Sequence, residues 1–140
     1  MSTCDFYARP NVAPKFLLKI KEDYIYLVDY VLGRTYSNLC YNPVISLSML
    51  NMDTLTGYQI NGDVEIIEKG AEYKKLLDEY RQKKIRFSTD RIIEGLHKEE
   101  KHKIFETILS EQIAVFKIRV KEIIEIIPTG KLKRKKLEIA

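Results

Sequence analysis

The chain has 140 residues, 45% hydrophobic and 31% charged, which suits one domain with one core and excludes a disordered tail. Its formal net charge of +4 at pH 7 comes from Lys131, Lys133, Arg134, Lys135 and Lys136, so residues 1–130 are neutral as a body. No apolar run approaches the ~20 residues of a membrane span, Met1–Asp5 lacks the basic-then-apolar pattern of a secretion signal, and two cysteines, Cys4 and Cys40, are too few for a disulfide framework. The expectation is a cytoplasmic protein with free thiols and no membrane partner.

The first half reads as strands. Phe16, Leu18 and Ile20 alternate with Leu17 and Lys19, and Tyr24, Tyr26 and Val28 alternate with Ile25, Leu27 and Asp29. This period of two predicts two strands, and Glu22-Asp23 between them predicts a tight turn and a hairpin. Beyond Tyr30, Gly33 allows a tight approach, Arg34-Thr35 falls at a helix start, and Thr35 to Tyr41 spans about two helical turns before the stop signal Asn42-Pro43. Val44 to Met52 is an apolar run of strand length. Tyr58, Ile60, Gly62, Val64 and Ile66 alternate with Gln59, Asn61, Asp63 and Glu65, a strand with one buried face.

After Gly70 the spacing changes. Tyr73, Leu76, Leu77 and Tyr80 lie on one helical face, Ile92, Ile93 and Leu96 suggest a short helix, and Ile104, Phe105, Ile108 and Leu109 a further one. Phe116, Ile118 and Val120 alternate with Lys117, Arg119 and Lys121 in a last strand, closed by Pro128 and Gly130. Short strands without a strand–helix–strand repeat predict a mainly β protein, an antiparallel sheet or barrel with helices 70–111 outside or capping it. Residues 1–130 read as a single domain and 131–140 as a solvated basic tail.

Self-sufficient catalysis finds little support. A zinc site needs three or four ligands at suitable spacing; His97 and His102 are five apart and diverge on a helix, and Cys4 and Cys40 lack neighbouring ligands. There is no Gly-x-Ser-x-Gly elbow, phosphate-binding Gly-rich loop, Gly-x-Gly-x-x-Gly or ribonucleoprotein motif, so neither a metal nor a nucleic-acid partner is expected. One segment is suited to a ligand, from Gly33 to Asn38. A helix start presents unpaired N–H groups and the positive end of the dipole, Arg34 adds a forked donor for phosphate oxygens, and Thr35 and Ser37 add hydroxyls. Read alone, the same segment is also a capped helix with one surface arginine.

Three stretches resemble the pyridoxamine 5′-phosphate oxidase-like, FMN-binding split-barrel family: Arg9 to Phe16; Tyr24 to Asp29 followed by Gly33 to Leu39 and Asn42-Pro43; and Tyr58 to Val64, with its glycine. Order and spacing agree over about residues 2–127. The resemblance implies a six-stranded antiparallel split barrel that binds FMN in a groove between two subunits of a homodimer. It places Arg34 and Thr35 on the FMN phosphate with Asn38 in support. Ala13, Pro14 and Lys15 then border the flavin ring, Val28 and Asp29 lie above the ribityl chain and phosphate, and Gln59 or Asn61 reaches a flavin held by the partner. The implied activity is an FMN-dependent oxidoreductase acting on an unknown small substrate; the alternative is a non-enzymatic module for flavin, haem or a deazaflavin cofactor. The family enzyme itself usually carries lysine where Thr35 stands, together with a C-terminal Trp- and Arg-bearing substrate motif, and this chain has no Trp. Vitamin B6 oxidation is therefore not expected. The family's helix before the first strand also has no counterpart here, so substrate access is expected to differ.

Overall fold

A computed structural model describes residues 1–98 and 112–137, the side chains of 87–98 apart. The alternating stretches become strands β3 (Phe16–Lys21), β4 (Tyr24–Asp29), β5 (Val44–Asn51), β6 (Thr56–Ile67) and β7 (Ala114–Ile126). Helix α1 (Arg34–Tyr41) occupies the expected segment and ends at Asn42 before Pro43, and α2 runs from Gly70 to Lys98 as one helix that takes in Ile92, Ile93 and Leu96. The helix expected around Ile104, Phe105, Ile108 and Leu109, and His102 with it, lies outside the described residues.

Three strands beyond these five bring the described residues to eight, against the six that the resemblance implied. β1 (Ser2–Cys4) and β2 (Pro10–Val12) have three residues each, too few for an alternation to register. β8 (Leu132–Lys136) occupies the stretch expected as a solvated tail. Its side chains are all exposed, so no hydrophobic pattern announces it. Its pairing with β7, from Glu122↔Lys136 to Ile126↔Leu132, satisfies its backbone instead.

Every pairing is antiparallel. The strand order is β2-β1-β5-β6-β7-β4-β3, with β8 also on β7. β6 covers one edge of β7 along most of its length, while β4 and β8 share the other edge, β4 pairing with 114–119 and β8 with 122–126. The result is a mainly β split barrel with two helices among the described residues. Ile25, Leu27, Ile45, Leu47, Ile60, Val64, Phe116, Ile118 and Val120 fill its interior, closed at one side by Leu39 of α1. On the opposite face Leu18, Tyr26, Val28 and Val115 meet Leu76 and Tyr80 of α2. β4 is thus buried on both faces, which explains its uninterrupted apolar run.

That run ends in a charge. Asp29 is 1% exposed, and Lys15, arriving from the β2–β3 connection, places its ammonium 2.8 Å from Asp29 Oδ1 with its own side chain 8% exposed. Asp29 Oδ1 also accepts the Val31 amide at 3.2 Å, which bends the chain toward α1. Asp29 Oδ2 is buried and has no partner. A second close constraint sits at Gly62, where β6 and β7 shift register between Asn61 and Gly62. A Cβ there would lie 2.4 Å from the Arg119 carbonyl oxygen and 3.0 Å from Ile118 Cγ2.

Two outcomes follow for stability. Gly62→Ala forces a methyl group against β7 backbone and is expected to cost about 1–3 kcal/mol, read as a lower urea midpoint. Asp29→Ala leaves a buried ammonium uncompensated and is expected to cost about 3–5 kcal/mol. Chemical denaturation measures both, and an unchanged midpoint for Asp29→Ala would show that the pair contributes nothing.

Candidate functional site

The start of α1 is built for a ligand that accepts hydrogen bonds. Gly33 is the N-cap and has no side chain to cap with; no acidic residue stands in the first turn. The first intrahelical bond reaches back from the Ser37 amide to the Gly33 carbonyl at 3.1 Å, which leaves the amides of Arg34, Thr35 and Tyr36 without acceptors inside the helix. Arg34 is exposed, and its guanidinium meets no carboxylate among the described residues.

Helical spacing sorts the other two α1 residues inward. Thr35, Asn38 and Leu39 share the buried face, Thr35 at 3% and Asn38 at 7% exposure. Asn11 Nδ2 donates to Thr35 Oγ1 at 3.1 Å, and Asn38 Nδ2 donates to Thr3 Oγ1 at 3.1 Å. Thr35 and Asn38 therefore clamp the β1–β2 hairpin onto the helix. The Thr35 hydroxyl accepts in this bond and keeps its proton to donate. Asn42 Nδ2 adds a bond to Cys4 Sγ at 3.1 Å at the far end of α1.

The residues from the β2–β3 connection lie beside this clamp. The Ala13 N–H donates to the Met1 carbonyl at 3.0 Å, and the Ala13 carbonyl accepts from the Met1 ammonium at 3.1 Å. Burial, with help from the Lys15 charge, pulls the Met1 ammonium below its ordinary pKa. Pro14 has no N–H to offer, and Lys15 turns inward to Asp29. Val28 is fully buried in the second core, so only its backbone borders the site. The structure thus gathers Lys15, Val28, Asp29, Arg34, Thr35 and Asn38 around the loop that delivers α1.

Gln59 stands apart from them. It pairs across the sheet with Ser48 and Ile124 and donates to Asn61 Oδ1 at 3.2 Å. Asn61 also takes the Ser46 hydroxyl at 2.8 Å and donates to Glu122 at 2.8 Å. Gln59 lines an open groove of about 410 Å³ with Met1, Val12, Ser46, Ser48 and Ile126. No hydrogen bond among the described residues joins Gln59 to α1.

Thr3 and Asn11 are the site residues that sequence reasoning missed. Both sit in three-residue strands, where a single polar residue has no pattern to stand out from. Tyr36 is another. Its hydroxyl donates to Glu68 at 2.6 Å and ties α1 to the end of β6, and that bond, more than burial, pushes its pKa up to about 12.

With Lys15 paired to Asp29, the Arg34 guanidinium and the helix dipole are the positive charge at the start of α1 itself. A single guanidinium beside free amides fits a phosphate monoester.

The sequence matches the family model described as pyridoxamine 5′-phosphate oxidase over residues 1–125. No curated protein matches it. Among solved structures, a pyridoxamine 5′-phosphate oxidase-related, FMN binding protein from Nostoc punctiforme superposes with a TM-score of 0.59 at 10% identity, covering 99% of this chain and 85% of the other. A Clostridium acetobutylicum protein related to general stress protein 26 gives 0.62 at 16% identity, covering 97% and 82%. HutZ, the heme storage protein from Vibrio cholerae, gives 0.53 at 18% identity, covering 86% and 78%. At these identities the structures share the fold. The family model spans Lys15, Asp29 and the whole of α1, and the chain belongs to the pyridoxamine 5′-phosphate oxidase family.

Proposed function

We propose that the protein is an FMN-binding flavoprotein that acts as an oxidoreductase on a small substrate, working as a homodimer with the flavin at the interface. The observation that carries this reading is the start of α1, with its uncapped amides and the Arg34 guanidinium beside them. The Nostoc neighbour, described as FMN binding, supports the choice of ligand. When bound, the flavin supplies the redox chemistry by taking up and returning a hydride or electrons. The chain's own residues bind and orient it. Arg34 and the first-turn amides hold the phosphate, the Thr35 hydroxyl has a proton to donate beside them, and the Lys15–Asp29 pair fixes the loop between β4 and the helix.

A second copy suits the exposed sheet face beside the groove. Leu50, Gly57, Ile126 and Leu132 stand in one cross-strand row, and the three side chains among them are exposed. Such a row favours burial against a like surface. Gln59 lies one row away on the same face, where it would reach a flavin shared between copies.

The neighbour described as a heme storage protein supports a second reading, a non-enzymatic carrier. The ligand itself separates them. Purified protein is expected to be yellow or to take up FMN on reconstitution, and mass spectrometry of the released ligand distinguishes FMN from a deazaflavin or haem. Reduction of the bound flavin by NADH or NADPH supports the oxidoreductase; no reduction by either, with slow ligand exchange, supports the carrier. Arg34→Ala is expected to weaken FMN binding by about 1.5–3 kcal/mol, or about tenfold to a hundredfold, in a fluorescence titration. Unchanged affinity would remove Arg34 as the phosphate anchor.

A further inference from the structure

We infer that Asp29 is a specificity-determining residue: it cancels the charge of Lys15 and so limits how strongly the start of α1 prefers a ligand with a terminal phosphate. The inference rests on the phosphate reading above and concerns the charge that surrounds that site.

Lys15 and Asp29 are both buried, 2.8 Å apart, and make a neutral unit. The unit lies close to the helix start in the chain. Asp29 is four residues before the N-cap Gly33, and its Oδ1 holds the amide of Val31 in the intervening loop. Four residues span at most about 14 Å even when fully extended, and this loop is bent by the Asp29 bond. Lys15 would therefore be a second cation within range of a phosphate at α1 if nothing opposed it. Asp29 opposes it through the ion pair. Such a carboxylate disfavours additional negative charge nearby. Buried charges are poorly screened by salt, so one unit of charge at this range is expected to change phosphate affinity about tenfold.

The positioning role and the charge role are separable, because a purely structural pair would affect flavins with and without a phosphate alike. The experiment titrates FMN and riboflavin, which differ only by the phosphate, into the full chain by flavin fluorescence. The readout is the ratio of the two affinities. In Asp29→Asn, Lys15 is left uncompensated and the FMN-over-riboflavin preference is expected to rise about tenfold. In Lys15→Met, the carboxylate is left alone and the preference is expected to fall by a similar factor. The double variant, Lys15→Met with Asp29→Asn, replaces a buried ion pair by a neutral pair of similar volume, a change that folds commonly tolerate. It is expected to keep the wild-type ratio within about threefold. A folded Asp29→Asn protein with the wild-type ratio would overturn the inference. So would a double variant whose ratio departs from it by more than that, which keeps the test decisive if the single variants do not fold. Wild-type protein that binds FMN and riboflavin equally would instead remove the phosphate reading itself.

Discussion

A carboxylate at the end of the most buried strand sets the terms for the rest of this molecule. β4 is apolar on both faces because it lies between the barrel interior and helix α2. Asp29 completes that strand with a charge that water does not reach. A lone buried carboxylate would be costly, and the chain answers by bringing Lys15 from the β2–β3 connection to within 2.8 Å. The pairing extends the β3–β4 hairpin one step beyond its Phe16↔Val28 pair. It also fixes where the loop after Asp29 leaves the core, since the Val31 amide is held by the same carboxylate oxygen. The path of the loop into α1 thus follows in part from the Asp29 carboxyl oxygen and the amide it holds.

The polar clamp of Thr3, Asn11, Thr35 and Asn38 works in the same direction. Helix α1 offers little inherent stability at eight residues. It is held by Leu39 in the barrel core and by side-chain hydrogen bonds to the β1–β2 hairpin. Because Thr35 and Asn38 face inward, Arg34 is the one of the three whose side chain is exposed. Positions 35, 38 and 39 share one face and 37 lies opposite, while 34 falls at the margin of that face in the open first turn.

Much of the fold was legible because its strands are long and half-buried. The alternation in β3, β4, β6 and β7 marked them, and the turn at Glu22-Asp23 falls where the hairpin turns, with Glu22 at a φ of +54°. The missed strands share a physical reason. β1 and β2 are too short to show a period, and β8 has no buried face, so only pairing with β7 makes it a strand. The site was legible in part for a similar reason. Arg34 and Thr35 carry the chemistry of a helix start in their residue types. Thr3 and Asn11 act through contacts across 35 and 24 residues of sequence, and nothing local announces those.

The sequence by itself determined the mainly β class, the helix at 34–41 and the family to which the chain belongs, because these rest on periodicity, stop signals and residue order. Gly62 was also legible as a marked position, though its reason was not. Only the tertiary structure decided that Lys15 and Asp29 form one neutral unit, that Thr35 and Asn38 turn away from solvent, that Gln59 lies on a separate sheet face, and that the basic tail is a strand. Each of these depends on which segments the barrel brings together. A pattern along the chain records the face a residue prefers, but the partner it meets there is set by which strands and helices the fold places side by side.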